Sequence, residues 1–501
     1  MKYLNSVENF GSVDADNDNL LYEAFEDHEA YTSIISREKF LIVGRKGSGK
    51  TAIFKKILRL KDHDTFSYGY TFFDYPWNHH DAQARIGVPD FEKFKHSWLY
   101  FILMSISKII LNQDNSLPYD EESLNSLSRI EKFVVDTYGS RDVDVTQVFT
   151  PAYRLKMKPN IEIDGGIFKA SAEMESMAIS DLPKVFPEVN KNIMHHIISS
   201  LNPDNNYYIG FDQLDYGFES SSDQYKQRII GLVLACREIN NYARDAGKKL
   251  IVTMFLRDNI YNILQFEDKN KITENYLVKI EWDTVRTRHS LRDLMAKRFY
   301  TLLREGGEQI VWSDVFDEDK EMPGRQTKYK YVLDRTFNRP RDMIKFCNEI
   351  LIEYRQRIKS VSTVSNKLEN TDINNAKLNY STYLLNEIDD EIHKHIPEYK
   401  RYLNILRRIG NWYFDKNEFI EAAKAEFGEG GDYIEVMRNI FEFSILGFLR
   451  SGGRTAGSQY IFKYKDPNVS FDETSSRFRI HPGLIEALDL KRNAASEDDS
   501  L

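Results

Sequence analysis

The sequence predicts an α/β protein built on a parallel β-sheet, followed by a helical region that ends in a small β-hairpin. Five apolar or β-rich runs alternate with helical patterns. This alternation is typical of about five parallel strands with helices on both faces of the sheet. The first run, residues 40–43, leads into a glycine-rich loop that opens a helix. Beyond residue 396, helical patterns precede a glycine-tipped hairpin, which is the order of elements in a winged-helix domain.

The loop after the first strand satisfies the pattern G-x-x-x-x-G-K-[ST] at every position. Its residues, with the first of the following helix, are Gly44, Arg45, Lys46, Gly47, Ser48, Gly49, Lys50, Thr51 and Ala52. The glycines let successive N–H groups point at an anion, and the helix N-terminus adds a partial positive charge. Lys50 is expected to reach the β- and γ-phosphates, and the Thr51 hydroxyl to bind Mg²⁺. An ordinary glycine turn is the weaker interpretation, and the sequence predicts a P-loop that binds ATP with Mg²⁺.

A second strand is predicted at residues 67–73, and residues 75–190 are predicted to form a large, mainly helical insertion. Helices are expected at residues 91–111, 121–138 and 185–201. The pair Gly165-Gly166 indicates a hairpin turn. The adjacent His79 and His80 are interpreted as surface residues rather than metal ligands.

The third strand, residues 207–211, ends in Asp212, and Asp215 follows closely. A carboxylate at a strand tip can hold Mg²⁺ opposite the P-loop threonine, so Asp212 is predicted to be the acidic magnesium residue. Asp215 either polarises the attacking water or caps the following helix. A fourth strand, residues 250–256, is expected to lie between this strand and the first one, as in the additional-strand class of P-loop NTPases.

Arg257 stands directly after the fourth strand. A polar group at that strand tip can sense whether the terminal phosphate is present. The alternative is an ion pair with Asp258 or Asp268. A fifth strand is expected at residues 276–282.

Two further arginines, Arg339 and Arg341, stand at the start of a helix predicted to run to about residue 357. Positive charge at this end opposes the helix dipole and indicates a nearby anion, for which a nucleotide phosphate is one candidate. A salt bridge to Asp342 or Asp334 is the alternative.

The N-terminal segment contains alternating carboxylates at residues 14–19. An EF-hand is excluded, because its sixth position is Asn19 rather than glycine and its twelfth is Phe25 rather than glutamate. The segment is interpreted as a solvated loop that caps a helix at residues 20–25.

The predicted domains are a P-loop ATPase domain at residues 1–305, a helical segment at 306–360, a linker and connecting helix at 361–395, and a winged-helix-like domain at 396–492. Residues 359–377 are polar and mark the boundary. The last domain is expected to contain helices at 399–409, 416–427 and 433–446, a hairpin from 448–450 and 460–464, and a third strand at 478–480. Residues 493–501 are expected to be disordered.

Composition limits the class of protein. The 501 residues are 41% hydrophobic and 29% charged with a formal charge of −9, which argues against a non-specific nucleic-acid coat. The two cysteines, Cys236 and Cys347, are far apart in the sequence, which argues against a disulfide and against a zinc site. Neither a signal pattern nor an apolar stretch long enough to span a bilayer is evident. A cytoplasmic protein without a membrane contact is expected.

Four motifs, GRKGSGKT, YYIGFDQLD, VTMFLRDNIYNIL and NRPRDMIKF, together resemble the bacterial P-loop ATPases related to the STAND and KAP groups. The resemblance implies an ATP-dependent switch with a C-terminal winged helix, of a kind often associated with bacterial defence and signalling. By position it implies that Asp212 is the acidic magnesium residue, Arg257 the sensor arginine and Arg341 the arginine of the RPRD-like motif. One departure is Tyr216, where STAND proteins commonly carry an acidic residue, and this argues against rapid turnover.

Three functions are weighed on these observations. The first is a slow ATPase that acts as a two-state switch on a separately encoded protein effector, with its oligomeric state left open. The second is a DNA-associated ATPase resembling origin-recognition and loader proteins, whose wing would contact phosphates through Arg450, Arg454, Lys463 and Lys465. The third, a small-molecule kinase, fits poorly with the chain length and the winged helix.

Overall fold

The computed structural model describes residues 2–71, 90–143, 148, 182–215, 222–284, 287–360, 365–393, 395–452 and 457–491. The chain divides into two compact units. The sheet unit comprises Asp27–Lys46 and Lys50–Ile280, and the C-terminal unit comprises Met1–Glu26, Gly47–Gly49 and Glu281–Leu501. The tip of the P-loop is therefore grouped with the C-terminal unit, while both ends of the loop belong to the sheet unit.

The described part of the sheet unit contains a five-stranded parallel sheet in the order β2-β3-β4-β1-β5. Its strands are β1 (Leu41–Gly44), β2 (Thr65–Thr71), β3 (Asn206–Asp212), β4 (Leu250–Arg257) and β5 (Leu277–Lys279). Its helices are α1 (Glu29–Ile35), α2 (Lys50–Leu58), α3 (Asp90–Asn112), α4 (Glu121–Tyr138), α5 (Leu182–Ser200), α6 (Asp223–Asp245), α7 (Asp258–Ile263) and α8 (Lys269–Tyr276). The prediction that the strand after Asp212 separates β3 from β1 is confirmed, and β5 is shorter than expected.

Helices cover both faces of this sheet. A Cβ added at Gly69 of β2 would lie 2.6 Å from the Phe54 ring of α2, so α2 packs closely against that face. The next residue, Tyr70, contacts the Phe101 ring of α3, with ring centroids 4.9 Å apart. Because successive strand residues point to opposite faces, α2 and α3 lie on opposite sides of the sheet.

The predicted insertion is helical where the structure describes it. Helices α3, α4 and α5 agree with the three helices expected there. The expected turn at Gly165-Gly166 and the histidines His79 and His80 lie outside the described residues. Among the helices that are described, none is long and apolar enough to cross a bilayer.

The C-terminal unit contains α9 (Leu291–Leu303), α10 (Trp312–Val315), α11 (Lys328–Leu333), α12 (Pro340–Ser360), α13 (Asn370–Ile392), α14 (Tyr399–Ile409), α15 (Lys416–Phe427) and α16 (Tyr433–Glu442). Its strands are β6 (Tyr413–Asp415), β7 (Leu446–Arg450), β8 (Gln459–Ile461) and β9 (Arg477–Ile480). They form an antiparallel sheet in the order β6-β9-β7-β8. The expected hairpin and third strand are confirmed. Helix α13 begins at Asn370, inside the polar stretch at residues 359–377 that was interpreted as the domain boundary.

The N-terminal segment differs from the expectation of a solvated loop with a helix at residues 20–25. Asp18 is buried and accepts a hydrogen bond from Arg298 of α9 at 2.6 Å. Arg298 also donates to the Phe10 carbonyl at 3.0 Å. Residues 19–24 form turns rather than a helix. Sequence reasoning missed this because the charge that neutralises Asp18 lies 280 residues away along the chain.

His481 links the end of the small sheet to the residues that precede α12. The ring is fully buried, its Nδ1 accepts the Gly483 N–H at 3.1 Å, and its Nε2 donates to the Thr336 carbonyl at 3.2 Å. Burial lowers the pKa of His481 well below its ordinary value. The folded protein therefore favours the neutral form of the His481 ring.

Candidate nucleotide site

The predicted site residues of the sheet unit meet at one edge of the parallel sheet. Gly44, the last residue of β1, pairs with Arg257, the last residue of β4. Asp212 is the last residue of β3, which adjoins β4. Because the carboxyl ends of parallel strands share an edge, the first glycine of the P-loop, Asp212 and Arg257 come together as the sequence predicts.

Lys50 begins α2, with Thr51 and Ala52 in the same first turn. Its Nζ donates to the carbonyls of Gly44 and Arg45, both at 2.8 Å. Burial lowers the pKa of Lys50 to about 8, while the nearby Asp215 raises it in part. The ammonium is therefore poorly hydrated, and an anionic phosphate would be a favourable neighbour for it.

Asp212 has the properties of a magnesium residue. It is 2% exposed, and burial raises the pKa of its carboxyl, while hydrogen bonds from the Thr51 hydroxyl and the Gln213 backbone N–H act in the opposite direction. Gln213 has a φ of 56°, so the strand ends in a sharp left-handed turn. Oδ2 of Asp212 is buried and has no hydrogen-bond partner among the described residues. An orphaned carboxylate oxygen beside a threonine hydroxyl fits the oxygen ligands that Mg²⁺ requires.

Asp215 and Arg257, two predicted catalytic residues, form one ion pair at 2.5 Å. Both side chains are about one quarter exposed. The alternative partner Asp268 raised for Arg257 pairs instead with Arg237 and Lys271. The alternative raised for Asp215 was a helix cap, but the residue that caps α6 is Ser222.

The tip of the P-loop is held within the C-terminal unit. The Gly47 carbonyl accepts the backbone N–H of Arg341 at 3.4 Å, and the Ser48 carbonyl accepts the indole N–H of Trp282 at 3.0 Å. The Ser48 hydroxyl is buried with no partner in the described part of the chain. Trp282 was expected only to end the fifth strand, and no motif singled it out as a site residue. The available signal was a large donor side chain just after a strand parallel to β1.

The two arginines at the start of α12, Arg339 just before it and Arg341 in its first turn, have different surroundings. Arg339 is 2% exposed and donates to Asp342 through Nε and Nη2, at 2.8 and 2.9 Å, and to Glu391 at 3.2 Å. Its salt bridge is the alternative raised from the sequence, and Asp334 pairs instead with Lys330. Arg341 donates to the Val13 carbonyl at 3.2 Å and to Glu387 at 3.0 Å. Of these two arginines, Arg341 is the one that lies against the P-loop tip.

Comparison with known proteins adds a family match for part of the C-terminal unit. Residues 289–389 match the family described as the FunZ-associated C-terminal helical domain. The chain is 25% identical, over 98% of its length, to the putative transposon gamma-delta 80.3 kDa protein of Escherichia coli K12, and covers 68% of that protein. Among solved structures it matches Cdc6p from Pyrobaculum aerophilum at 10% identity, covering 90% of this chain and 86% of that one. The TM-score of 0.26 is too low for that likeness to support an argument. The geometry and the family match give a P-loop α/β fold followed by a C-terminal helical domain.

Proposed function

We propose that this chain binds ATP with Mg²⁺ at residues 44–51 and hydrolyses it slowly, as a molecular switch. The observation that carries the proposal is the Oδ2 atom of Asp212, which has no hydrogen-bond partner among the described residues although its carboxyl lies beside the Thr51 hydroxyl. Thr51 directly follows the P-loop lysine. The strand order supports membership of the additional-strand class, because β4 lies between β1 and β3. The helices and hairpin after residue 396 support a winged-helix domain.

Each site residue then has a stated task. Lys50 would leave the two loop carbonyls and neutralise the β- and γ-phosphates. Mg²⁺ would be held by the Thr51 hydroxyl and the Asp212 carboxylate, and it neutralises charge on the phosphates. Asp215 would orient the attacking water. Its carboxylate is already held in an ion pair with Arg257, which supports slow hydrolysis. Tyr216, the departure noted in the sequence, lies outside the described residues.

The switch in this proposal is the arginine of α12. Arg341 now donates to Glu387 of α13, and a terminal phosphate at the P-loop would compete for the same guanidinium. ATP and ADP differ in this contact, and only such a difference can shift a conformational balance. The resemblance to STAND and KAP ATPases supports a cytoplasmic role in bacterial defence or signalling, through a separately encoded effector.

Nucleotide binding by the Lys50→Ala variant tests the proposal. We expect roughly 10- to 100-fold weaker ATP binding, because a charge-assisted contact is lost. Lys56→Ala is the matched control, because it removes a lysine from the last turn of the same helix. Phosphate release by the unchanged protein measures the hydrolysis rate. Equal ATP affinity in Lys50→Ala and the unchanged protein would contradict the proposed site.

A second candidate function is a DNA-associated ATPase, for which the small sheet supplies the supporting observation. Arg450 of β7 and Arg477 of β9 are exposed on that sheet. The wing lysines expected from the sequence support it less, because Lys463 pairs with Glu442 and Lys465 approaches Asp334. Arg454 lies outside the described residues. Anisotropy of a labelled duplex at low salt tests this function: binding that weakens in Arg450→Glu and Arg477→Glu supports it, and no binding excludes it.

A further inference from the structure

Trp282 forms a hydrogen bond with the backbone of the P-loop tip. Its ring is 5% exposed, and its indole N–H donates to the Ser48 carbonyl at 3.0 Å. Trp282 reaches the loop because it follows β5, which runs parallel to β1. Just after β5, the Ile280 N–H donates to the Val43 carbonyl of β1 at 2.8 Å. The chain therefore leaves β5 at the carboxyl edge of the sheet, two residues before Trp282.

Holding this carbonyl also sets the direction of the next amide. A peptide unit is planar and trans, so the N–H of Gly49 points away from the C=O of Ser48. In the same way, the Gly47 carbonyl bonded to the Arg341 N–H sets the direction of the Ser48 N–H. Apart from its two chain neighbours, no described residue has an atom within 4 Å of the position that a Cβ on Gly49 would occupy. The loop amides are thus turned away from the groups that hold the carbonyls.

We propose that Trp282 is a positioning residue of the nucleotide site, which fixes the Ser48–Gly49 peptide so that its N–H faces the phosphates. The inference rests on the proposed function, because only a P-loop that binds phosphate needs these amides aligned in advance. Pre-alignment lowers the ordering that binding would otherwise require. In this role Trp282 acts through the loop, so its effect is on binding rather than on the chemical step.

The affinity test compares Trp282→Phe with Trp312→Phe. Trp312 is the matched control, because it is buried in the same unit and its indole N–H donates to Glu318 at 2.8 Å instead of to the loop. We expect Trp282→Phe to weaken ATP and ADP binding roughly two- to tenfold, the range for one lost hydrogen bond. The KM for ATP should rise by that factor with kcat nearly unchanged, as for a lost contact that serves ground state and transition state equally. Equal affinities in the two variants would overturn the proposal.

Amide hydrogen exchange of the nucleotide-free protein tests, without ATP, whether the Trp282 hydrogen bond orders the loop. A peptide covering residues 44–52 should exchange faster in Trp282→Phe than in the unchanged protein, and at the unchanged rate in Trp312→Phe. Equal exchange in all three proteins would overturn the proposal. Failure of the unchanged protein to bind any nucleotide would instead refute the proposed function, while the exchange result would still decide whether Trp282 orders the loop. If Trp282→Phe does not fold, the indole signals of the unchanged protein decide: a Trp282 resonance that does not respond to ADP refutes the positioning role.

Discussion

Two glycines of the P-loop provide a matched pair of substitutions for the contact with Arg341. Gly47 has a φ of 78° and Gly49 a φ of 109°, so alanine strains the backbone at either position. Such strain is worth about 1–3 kcal/mol, or roughly 5- to 150-fold in the population of the binding conformation. Only Gly47 has a close neighbour, since its added Cβ would lie 3.0 Å from Cβ and 3.2 Å from Cδ of Arg341. Apart from its two chain neighbours, no described residue comes within 4 Å of the Cβ position at Gly49.

The two variants should therefore differ in nucleotide preference. Gly49→Ala should weaken ATP and ADP binding by the same factor, because it disturbs the loop alone. Gly47→Ala should also displace Arg341 and so reduce the preference for ATP over ADP. Titration calorimetry with each nucleotide in the presence of Mg²⁺ gives the two ratios, and Arg341→Ala provides the reference for a lost arginine. The double variant of Gly47 and Arg341 should have the same ratio as Arg341→Ala.

Equal changes of the ATP-to-ADP ratio in Gly47→Ala and Gly49→Ala would refute a role for the contact between Gly47 and Arg341. An unchanged ratio in Arg341→Ala would also refute it, because Arg341 would then not distinguish the terminal phosphate. Thermal unfolding of each variant is the control for loss of the folded protein. An affinity loss without a change in unfolding temperature can be assigned to the loop.

Three other substitutions test the remaining site residues and the C-terminal unit. Asp212→Asn should weaken Mg²⁺ binding roughly 10- to 100-fold while ADP binding without Mg²⁺ is kept, as calorimetry with and without the ion would show. Asp215→Asn should slow phosphate release with little change in ATP affinity, and should lower stability by no more than about 1 kcal/mol, because its pair with Arg257 is partly exposed. For His481, the folded pKa lies below the unfolded value, so the unfolded chain takes up the proton first and stability falls as pH drops below about 6.5. Between pH 7 and pH 5 this lowers the free energy of unfolding by at most about 2 kcal/mol, the limit set by the unfolded pKa, and a folded His481→Gln variant should lack that part of the loss in urea titrations.

The parallel sheet was predictable because its signals are local. Short apolar runs give the strands, and the glycine pattern of residues 44–51 identifies where the first strand meets α2. Asp212 could be placed at the tip of β3 because the apolar run of that strand ends there. Even the position of β4 followed from the type of P-loop fold rather than from any long-range contact.

The partners of the charged residues were not predictable from local pattern. Arg257 pairs with Asp215, 42 residues earlier in the chain, rather than with its neighbour Asp258. Asp18 is buried against Arg298 in a segment whose composition indicates a solvated loop. An ion pair depends on which side chains the tertiary fold brings within about 4 Å, and a charge pattern alone contains no such information.

The grouping of the loop tip with the C-terminal unit has a thermodynamic consequence for any effector. Two loop carbonyls are bonded to Trp282 and Arg341, and the guanidinium of Arg341 is bonded to Glu387 of α13, inside the residues that match the helical domain. If ATP draws Arg341 away from Glu387, a partner that binds the helical domain more tightly in that state must strengthen ATP binding. Linkage requires the two effects to be equal in free energy, because each is the same coupling measured from a different ligand. ATP affinity measured with and without a candidate partner would therefore detect binding of that partner to the helical domain, whatever the partner's own activity.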